Sequence, residues 1–538
     1  MPEMSGAQAL VRQLRSEGVD TIFALPGVQI MAAFDALHEA QNDINLVHVR
    51  HEQATTYMAD GYAKATGKVG VAMAVPGPGA LNASAGLGTA FASSSPVLLV
   101  SGQIDSGALG KRQGQLHEVE DQLDVFKPIT KWNHRVTRVE EIPEAVHEAF
   151  RHMRTGRPRP VELEIPPDTL ANLGMADIIE PEEYPAASAS VDDIARAAKM
   201  LSEAQRPAII AGGGSLIAGA GAELLRVAEM AQAPVMTTQS SKGVISEANP
   251  YHTGTNYVAV GPASQIMPDC DVLLAVGTRL LFREPQGKIP RIIHIDADSD
   301  EIGKNFPTEL GIVADAKVAM GQLAERLKVT GVSKPSRADE IAGYKRATAD
   351  SVQELAPHQV GIIRSMRQQL DDDAIVIAGV TNIGYWSNVA YEVRQPRSYV
   401  TSGYFGTLGY AFPTALGVKV AAPDKQVVAL CGDGGFMYSP QEFSTAVRYG
   451  INTVAVVFNN SAFGASRWDQ THRYDGRFIG TDLANPDFMK LADSFGAVGI
   501  RTNSDGFGDA LGEALRADAP VLLEVEVPVE MPPFQIVE

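Results

Sequence analysis

The sequence has few cysteines and no excess of basic residues, and both shortages restrict what the protein can be. Cys270 and Cys431 are the only cysteines in 538 residues, too few for a disulfide framework or a multi-cysteine zinc site. This usage is typical of a reducing compartment, so we expect a cytoplasmic protein. The 45 basic residues are outnumbered by 64 acidic ones, and the net charge of −19 argues against a nucleic-acid or anionic-membrane partner.

Long apolar runs are also missing. No run of about 18 apolar residues occurs, so no membrane span is predicted. The first residues lack the basic-then-apolar pattern of a signal peptide, so no export signal is predicted either. With 45% hydrophobic and 20% charged residues, the composition is that of a folded globular protein.

Apolar, β-rich runs alternate with helical patterns along nearly the whole chain, which predicts parallel sheets with crossover helices. At roughly 150 residues per domain, the length suggests three large domains. Two stretches, 166–190 and 330–346, have the composition of linkers. We therefore predict an α/β fold of three doubly wound parallel-sheet domains, at residues 1–185, 186–345 and 346–538.

Two local patterns support this division. The first helix has Ser5 as its predicted N-cap, Gln8 completing a capping box and Gly18 beyond its last turn. The sequence Gly-Tyr-Ala occurs at residues 61–63 and again at 409–411, each time before a strand that ends in a glycine-rich turn. Unless this short repeat is due to chance, the first and third domains are related folds.

The clearest functional signal is a βαβ unit over residues 425–460. Asp433 follows its first strand in the sequence Gly-Asp-Gly-Gly, and Asn460 follows its second strand. Because the carboxyl ends of neighbouring parallel strands meet at one sheet edge, both side chains are expected at a ligand-binding edge. A carboxylate and an amide oxygen suit Mg²⁺, and the glycines let backbone N–H groups approach a phosphate. The alternative is a tight turn in which both side chains only satisfy local backbone groups.

The helix inside this unit has its own start and stop signals. Ser439 is its predicted N-cap, Pro440 its first residue and Gly450 the residue beyond its end. Glu442 is predicted to close a capping box with Ser439.

The sequence Gly432-Asp433-Gly434, followed by Asn459-Asn460, resembles the thiamine diphosphate signature. The three-domain order is similar to the superfamily that carries it, and in detail to the group of acetolactate synthase, benzaldehyde lyase and benzoylformate decarboxylase. The resemblance implies a pyrimidine-binding, a middle and a diphosphate-binding domain, with thiamine diphosphate and Mg²⁺ as cofactors. It implies Asp433, Asn460 and the carbonyl of Ala462 as metal ligands. The implied cofactor-binding set is Thr381, Asn382, Gly406, Leu408, Asp433, Gly434, Gly435, Asn460, Ala462, Phe463 and Gly464, in which Leu408 would wedge between the two cofactor rings.

The resemblance also singles out Glu52, in the stretch Arg50-His51-Glu52-Gln53. It implies that Glu52 bonds N1′ of the aminopyrimidine ring, where a carboxyl with a raised pKa can share the proton that activates the cofactor. In this family the glutamate comes from the neighbouring subunit, so a homodimer or homotetramer is implied. Taken alone, the stretch is more typical of a solvated helix start.

The reaction type is inferred from histidines that are missing. Simple decarboxylases of this group carry histidines that relay a proton to the product, and Val75 stands where the benzoylformate type has one. We therefore expect a carboligase, similar to acetolactate synthase, that decarboxylates a 2-oxo acid such as pyruvate and joins the acyl unit to a second carbonyl of an aldehyde or ketone. A 2-oxo acid decarboxylase, an aldehyde lyase and a non-catalytic nucleotide-binding relative stay open as alternatives. Gly27, Gln29 and His117 are the candidate substrate contacts.

Two features differ from biosynthetic acetolactate synthases. Trp468 lies one position before the Trp of those enzymes and instead matches the benzoylformate decarboxylase pattern. The segment after Arg279 lacks the flavin-binding pattern, although the triple glycine 212–214 and Asp296 have the placement of a nucleotide site. FAD or ADP in the middle domain is therefore left open.

Overall fold

The computed structural model describes residues 2–258, 260–281 and 289–535. Three six-stranded parallel sheets with flanking helices confirm the predicted α/β fold. No helix within these ranges is both long and apolar enough to cross a membrane. Part of the segment after Arg279, on which the expectation about flavin rests, falls on residues 282–288, which lie outside the described residues.

The N-terminal domain contains the first sheet. The strands of this domain are β1 (Glu3–Ser5), β2 (Thr21–Ala24), β3 (Asn45–His48), β4 (Gly70–Ala74), β5 (Val97–Gly102), β6 (Trp132–Arg135), β7 (Val161–Ile165) and β8 (Leu173–Met175). Its helices are α1 (Gly6–Ser16), α2 (Met31–Glu39), α3 (Glu52–Thr66), α4 (Pro78–Ser93), α5 (Gln122–Phe126), α6 (Ile142–Arg154) and α7 (Pro167–Ala171). The sheet order is β3-β2-β4-β5-β7-β6, and β1 and β8 form a separate antiparallel pair. The capping box of Ser5 and Gln8 is confirmed at the start of α1.

The middle domain contains the second sheet, in the order β11-β10-β9-β12-β13-β14. In chain order its elements are α8 (Val191–Glu203), β9 (Pro207–Ala211), α9 (Gly213–Ile217), α10 (Gly221–Ala231), β10 (Val235–Thr238), β11 (His252–Asn256), α11 (Ala263–Ile266), β12 (Val272–Val276), β13 (Arg291–Asp296), β14 (Leu310–Val313) and α12 (Ala316–Val329). Numbered within the domain, the strand order is 3-2-1-4-5-6, which is the order of doubly wound nucleotide-binding sheets.

The C-terminal domain contains the third sheet, in the order β16-β15-β17-β18-β20-β19. In chain order its elements are α13 (Ala338–Leu355), α14 (Pro357–Gln369), β15 (Ile375–Ala378), α15 (Asn382–Ala390), β16 (Tyr399–Thr401), α16 (Ala411–Ala421), β17 (Val427–Gly432), α17 (Asp433–Phe436), α18 (Phe443–Tyr449), β18 (Val454–Asn459), α19 (Gly464–Arg473), α20 (Phe488–Phe495), β19 (Val498–Asn503), α21 (Phe507–Arg516) and β20 (Val521–Glu526).

The first and third sheets have the same topology. Numbered within each sheet, both follow the strand order 2-1-3-4-6-5, whereas the middle sheet does not. The repeated Gly-Tyr-Ala sequences fall in α3 and at the start of α16, the two helices that precede the third strand of their sheets. The repeat in the sequence therefore corresponds to a repeat of the fold.

Helices α3 and α16 pack against each other and join these two domains. A Cβ on Gly61 would lie 2.3 Å from the Thr414 carbonyl oxygen, and a Cβ on Gly417 would lie 2.0 Å from the Met58 oxygen. Only glycine permits so close an approach of two helices. One apolar core accordingly runs through both domains, from Phe23 in β2 of the first sheet to Phe412 in α16.

Two predictions about local structure need correction. Both predicted linkers are shorter than expected: α7 and β8 occupy the start of the first, and α13 occupies the second from Ala338 onwards, which leaves residues 176–190 and 330–337 without helix or strand. Glu340 and Tyr344 of α13 bond to Arg206 of the middle domain. Helix α13 runs across the boundary proposed at residues 345 and 346. Glu442 does not close a capping box: Ser439 begins a 3-10 turn, its side chain makes no capping bond, and the Glu442 carboxylate contacts another domain.

Candidate active site

Asp433 and Asn460 lie at the carboxyl edge of the third sheet, as predicted. Strands β17 and β18 are neighbours, and Gly432 at the end of one is paired with Phe458 near the end of the other. The two side chains therefore follow adjacent strands at the edge where parallel sheets bind ligands.

The Asp433 carboxylate is buried, and a neutral amide donates to it: Asn485 Nδ2 donates to Oδ2 at 2.7 Å. Burial raises the pKa of Asp433 above its ordinary value, against the effect of this hydrogen bond. A buried carboxylate in neutral surroundings is the kind of ligand that a divalent cation stabilises.

The loop after β18 is tightly folded around Asn460. Ala462 N donates to Asn460 Oδ1 at 3.2 Å, and Ser461 between them adopts a left-handed φ of +53°. A Cβ on Gly464, the first residue of α19, would lie 2.8 Å from Asn460 Nδ2. The Phe463 ring covers the other strand end, since a Cβ on Gly434 would lie 2.7 Å from it. A side chain at Gly434 or at Gly464 would therefore fill the space beside the proposed metal ligands.

Two further predicted cofactor residues lie beside the turn that follows β17. Thr381 lies against Gly432, whose Cβ would be 3.2 Å from the Thr381 Cβ, and Leu408 lies against Gly435, whose Cβ would be 3.6 Å from Leu408 Cδ2. Leu408, Gly432 and Gly435 line one narrow crevice at the sheet edge. Gly406 is exposed, with a φ of +61° that favours glycine.

The Asn382 side chain bonds to other groups of the protein, whereas the residue was predicted to be part of a diphosphate clamp. Its Nδ2 donates to the carbonyl oxygens of Glu530 at 3.0 Å and Met531 at 3.1 Å, while its Oδ1 accepts from Gln359 at 3.2 Å. The side chain therefore joins the segment at Glu530 and Met531 to α15. The part of Asn382 that can face a phosphate is then its backbone, at the start of that helix.

A second group of predicted residues lies in the N-terminal domain around Glu52, the first residue of α3. Asn82 Nδ2 donates to Glu52 Oε2 at 3.0 Å, and a Cβ on Gly79 would lie 3.5 Å from Glu52 Oε1. Val75 is enclosed between two glycines: a Cβ on Gly27 or on Gly79 would come within 2.3 or 2.6 Å of its methyl groups. Glu52 thus has an apolar wall beside it.

Gln29 and His117 belong to this second group. Gln29 Nε2 donates to the carbonyl oxygen of Leu116 at 3.1 Å, and a Cβ on Gly77 would lie 2.4 Å from the carbonyl oxygen of His117. Gln29 Oε1 and His117 Nδ1 are buried and have no hydrogen-bond partner among the residues that the structure describes. Buried polar atoms of this kind are usually satisfied, so both atoms are suited to contact a bound molecule.

The two groups lie in different domains of one chain. Among the hydrogen bonds of the described residues, none joins Glu52 to Asp433 or Asn460. The two domains are joined near these groups by the bond between Tyr57 Oη of α3 and Thr407 Oγ1, at 3.0 Å, and by bonds from Arg50 N and His51 N to Glu442.

Comparison with protein families accounts for both groups. Models of the thiamine pyrophosphate enzymes match the chain three times: the N-terminal TPP binding domain at residues 4–125, the central domain at 194–323 and the C-terminal TPP binding domain at 379–525. The chain belongs to the thiamine pyrophosphate enzyme family. The predicted family and enzyme type are confirmed, and both cofactor-binding matches coincide with the domains that carry the two groups.

Named relatives of this thiamine pyrophosphate enzyme cover nearly its whole length. A probable acetolactate synthase large subunit of Methanocaldococcus jannaschii is 36% identical, over 99% of this chain and 93% of its own. The acetolactate synthase large subunit of Corynebacterium glutamicum is 34% identical, over 97% and 86%. A probable 2-ketoarginine decarboxylase of Pseudomonas aeruginosa is also 34% identical, over 96% and 92%. The names thus include an acetolactate synthase and a probable decarboxylase at the same identity of 34%.

The middle domain of this family member adjoins a cavity of about 1210 Å³. Its walls include Gly214, Gly277 and Asp296, which follow or end strands β9, β12 and β13, together with Arg157 and Tyr404 from the other two domains. The cavity therefore opens at the carboxyl edge of the sheet, between the central strands where the strand order reverses. Burial raises the pKa of Asp296 to about 6, and its Oδ1 accepts from Asp298 N at 3.0 Å.

Two residues of this thiamine pyrophosphate enzyme escaped prediction. Asn485 Nδ2 donates to Asp433 and also to Asn459 Oδ1 at 3.0 Å, yet it lies in a loop without a motif. Glu442 was assigned a local role, although it contacts the turn before Glu52. A contact between domains leaves no periodic pattern in a single sequence, so neither residue carried a usable signal.

Proposed function

We propose that this enzyme is a Mg²⁺-dependent thiamine diphosphate carboligase that decarboxylates a 2-oxo acid such as pyruvate and transfers the acyl unit to a second carbonyl. Bound thiamine diphosphate supplies the carbon atom that carries the acyl unit. Asp433, Asn460 and the Ala462 carbonyl would hold Mg²⁺ against its diphosphate, and Glu52 would bond the aminopyrimidine. The observation that carries the metal assignment is the buried Asp433 carboxylate, to which the neutral amide of Asn485 donates.

The choice of carboligation over simple decarboxylation rests on the wall beside Glu52. Val75 is 7% exposed and packed between Gly27 and Gly79, and its hydrocarbon side chain has no proton to donate. A second carbonyl can then compete for the acyl unit. The acetolactate synthase names of two relatives support this choice, whereas the 2-ketoarginine decarboxylase name supports the alternative.

His117 is the candidate proton donor to the product in this group. Its Nδ1 is buried without a partner among the described residues, so His117, like Gln29, can contact substrate. Under the carboligase proposal, His117 and Gln29 orient substrate. Under the decarboxylase alternative, His117 protonates the product.

A product assay separates these alternatives. With pyruvate, benzoylformate or glyoxylate as substrate, carbon dioxide release and every organic product are measured together, in the wild type and in His117→Ala. We expect acetolactate or acetoin to exceed acetaldehyde with pyruvate, and His117→Ala to alter substrate preference while ligation stays dominant. Mainly aldehyde from the wild type, with aldehyde release lost in His117→Ala, would establish the decarboxylase instead. Val75→His is a poor test, because the enclosed site has no space for a larger ring.

We further propose a homodimer or homotetramer in which Glu52 serves the cofactor held by its partner. Apolar side chains beside the Glu52 group are exposed in the single chain: Val28 by 70%, Leu81 by 43% and Leu116 by 63%. On the C-terminal domain, Tyr404 and Tyr438 are likewise exposed. Apolar patches of this kind mark protein interfaces, and a second copy would cover them.

Nucleotide binding in the middle domain is a second candidate function. The cavity at the switch point of the middle sheet supports it, and Asp296 at the end of β13 has the placement of a ribose contact. FAD and ADP are the candidate ligands. Two measurements test this: the thermal unfolding temperature with each nucleotide, and the visible absorption of freshly purified protein. A rise of the unfolding temperature with ADP alone excludes flavin, and no rise with either nucleotide excludes the site.

A further inference from the structure

Glu442 is a buried carboxylate of the C-terminal domain that contacts the N-terminal domain. It ends the 3-10 turn Pro440–Glu442, immediately before α18, and is 0% exposed. The backbone N–H of Arg50 donates to both of its carboxylate oxygens, at 3.1 and 3.2 Å, and the N–H of His51 donates to Oε1 at 3.1 Å. Thr445 Oγ1 donates to Oε2 at 2.6 Å. One carboxylate therefore satisfies two backbone groups that lie directly before Glu52.

The turn that Glu442 holds sets where helix α3 begins. His51 is the N-cap of that helix, with φ −148° and ψ 136°, and its Nδ1 accepts from Gln53 N at 3.2 Å. Backbone groups on both sides of Glu52 are thus fixed by hydrogen bonds, while Asn82 holds its side chain. A buried backbone N–H that loses its acceptor must find another, so the turn would change conformation without Glu442.

Helix α18 holds the same connection at a second point. Tyr449 Oη, at its end, is 2.6 Å from His48 Nδ1 and accepts from His48 N at 3.1 Å. His48 is the last residue of β3, so the whole link from β3 to α3 lies along α18. Arg50 is the charged residue that faces the Glu442 carboxylate from this link.

We infer that Glu442 is a positioning residue for Glu52: its carboxylate fixes the turn Arg50-His51 and thereby the direction in which Glu52 leaves the start of α3. This inference rests on the proposed role of Glu52 toward the aminopyrimidine ring. Glu442 itself touches neither the proposed metal ligands nor Glu52, so its removal should change the geometry of the acid and leave diphosphate binding intact.

The alternative is that Glu442 only joins two domains. A purely structural bond would lower the stability of Glu442 variants without a specific effect on the cofactor. Glu247 offers a control for a purely structural role, because it is also a buried carboxylate that accepts a backbone N–H across a domain junction, from Val393 at 3.1 Å. It also pairs with the buried Lys242 Nζ at 2.8 Å, so Glu247→Gln should lower stability and leave the start of α3 unchanged. Glu247→Gln changes such a junction far from α3.

The test uses Glu442→Ala, Glu442→Asp and Glu442→Gln in the full chain. In the protein without cofactor, backbone hydrogen exchange is followed in the peptide that contains Arg50 and His51. In the loaded enzyme, the exchange rate of the C2 proton of bound thiamine diphosphate and the affinity for the cofactor are measured separately. Because glutamine keeps an acceptor oxygen, it should preserve both N–H bonds, whereas aspartate is too short to reach them.

We expect amide exchange of this peptide to rise at least about fivefold in Glu442→Ala and Glu442→Asp, the lower end of what an unpaired buried N–H corresponds to. C2 proton exchange should fall at least about tenfold in the same variants, with cofactor affinity changed less than about threefold, and Glu442→Gln and Glu247→Gln should behave as wild type in these measurements. If Glu442→Ala does not fold, the comparison of the same exchange rates between Glu442→Asp and Glu442→Gln tests the inference. A folded Glu442→Asp in which the amides of Arg50 and His51 exchange fast, but the C2 proton exchanges at the normal rate, would overturn the inference. Failure of the wild type to bind the cofactor or to exchange its C2 proton would instead refute the proposed function.

Discussion

Asn485→Ala should weaken Mg²⁺-supported binding of thiamine diphosphate by about ten- to a hundredfold, the range typical when a group that orients a metal ligand is removed. The Asn485 amide donates to Asp433 at 2.7 Å and to Asn459 at 3.0 Å, so it joins the ends of β17 and β18. A hydrogen bond to a charged group contributes about 1.5–3 kcal/mol, and about 1.4 kcal/mol is a tenfold change in affinity. The free energy of this one hydrogen bond therefore also corresponds to a loss of affinity of about ten- to a hundredfold.

Isothermal titration calorimetry of thiamine diphosphate at several Mg²⁺ concentrations measures this loss. Asn452→Ala is the matched control, because Asn452 Nδ2 donates to Asp518 Oδ1 at 2.9 Å in an exposed pair of the same domain. Asp433→Ala gives the reference for complete loss of the metal ligand. If Asn485→Ala binds the cofactor as tightly as Asn452→Ala, the hydrogen bond to Asp433 does not serve metal binding and the reasoning is refuted.

Two further predictions concern assembly and pH. Mixed chains of Glu52→Gln and Asp433→Ala should recover activity through heterodimers with one intact site; no recovery after demonstrated subunit exchange contradicts a shared site. Burial raises the pKa of Glu442 from 4.5 to about 7, so the folded protein retains a proton that the unfolded chain releases. The wild type should therefore lose up to about 3 kcal/mol of stability between these pH values, and Glu442→Gln should not. Urea unfolding of both proteins at pH 5 and 8 measures this, and parallel pH profiles would contradict it.

The sequence contained the parts of the fold and site that depend on short-range patterns. The capping box of Ser5 and Gln8 involves neighbours in the chain, and the structure has it. The placement of Asp433 and Asn460 at one sheet edge follows from any βαβ unit, so it was predictable from strand ends alone.

Residues that act across domains were misread or missed. Glu442 follows Ser439 at capping-box spacing, but its carboxylate is used by the turn before Glu52, and spacing could not reveal a partner so distant in the chain. Asn485 acts through the folded position of its loop. The polar stretch from residue 330 was predicted as a linker because Arg206, the partner of Glu340 in α13, lies far away in the chain and leaves no local pattern.

The close packing of α3 on α16 has a consequence for how the protein unfolds. Because the Gly61 and Gly417 contacts and one continuous apolar core join the N- and C-terminal domains, neither can open without exposing the interior of the other. The middle domain has separate apolar clusters of its own. These outer domains should therefore behave as a single cooperative unit on heating, and the domain between them in the chain as a second one.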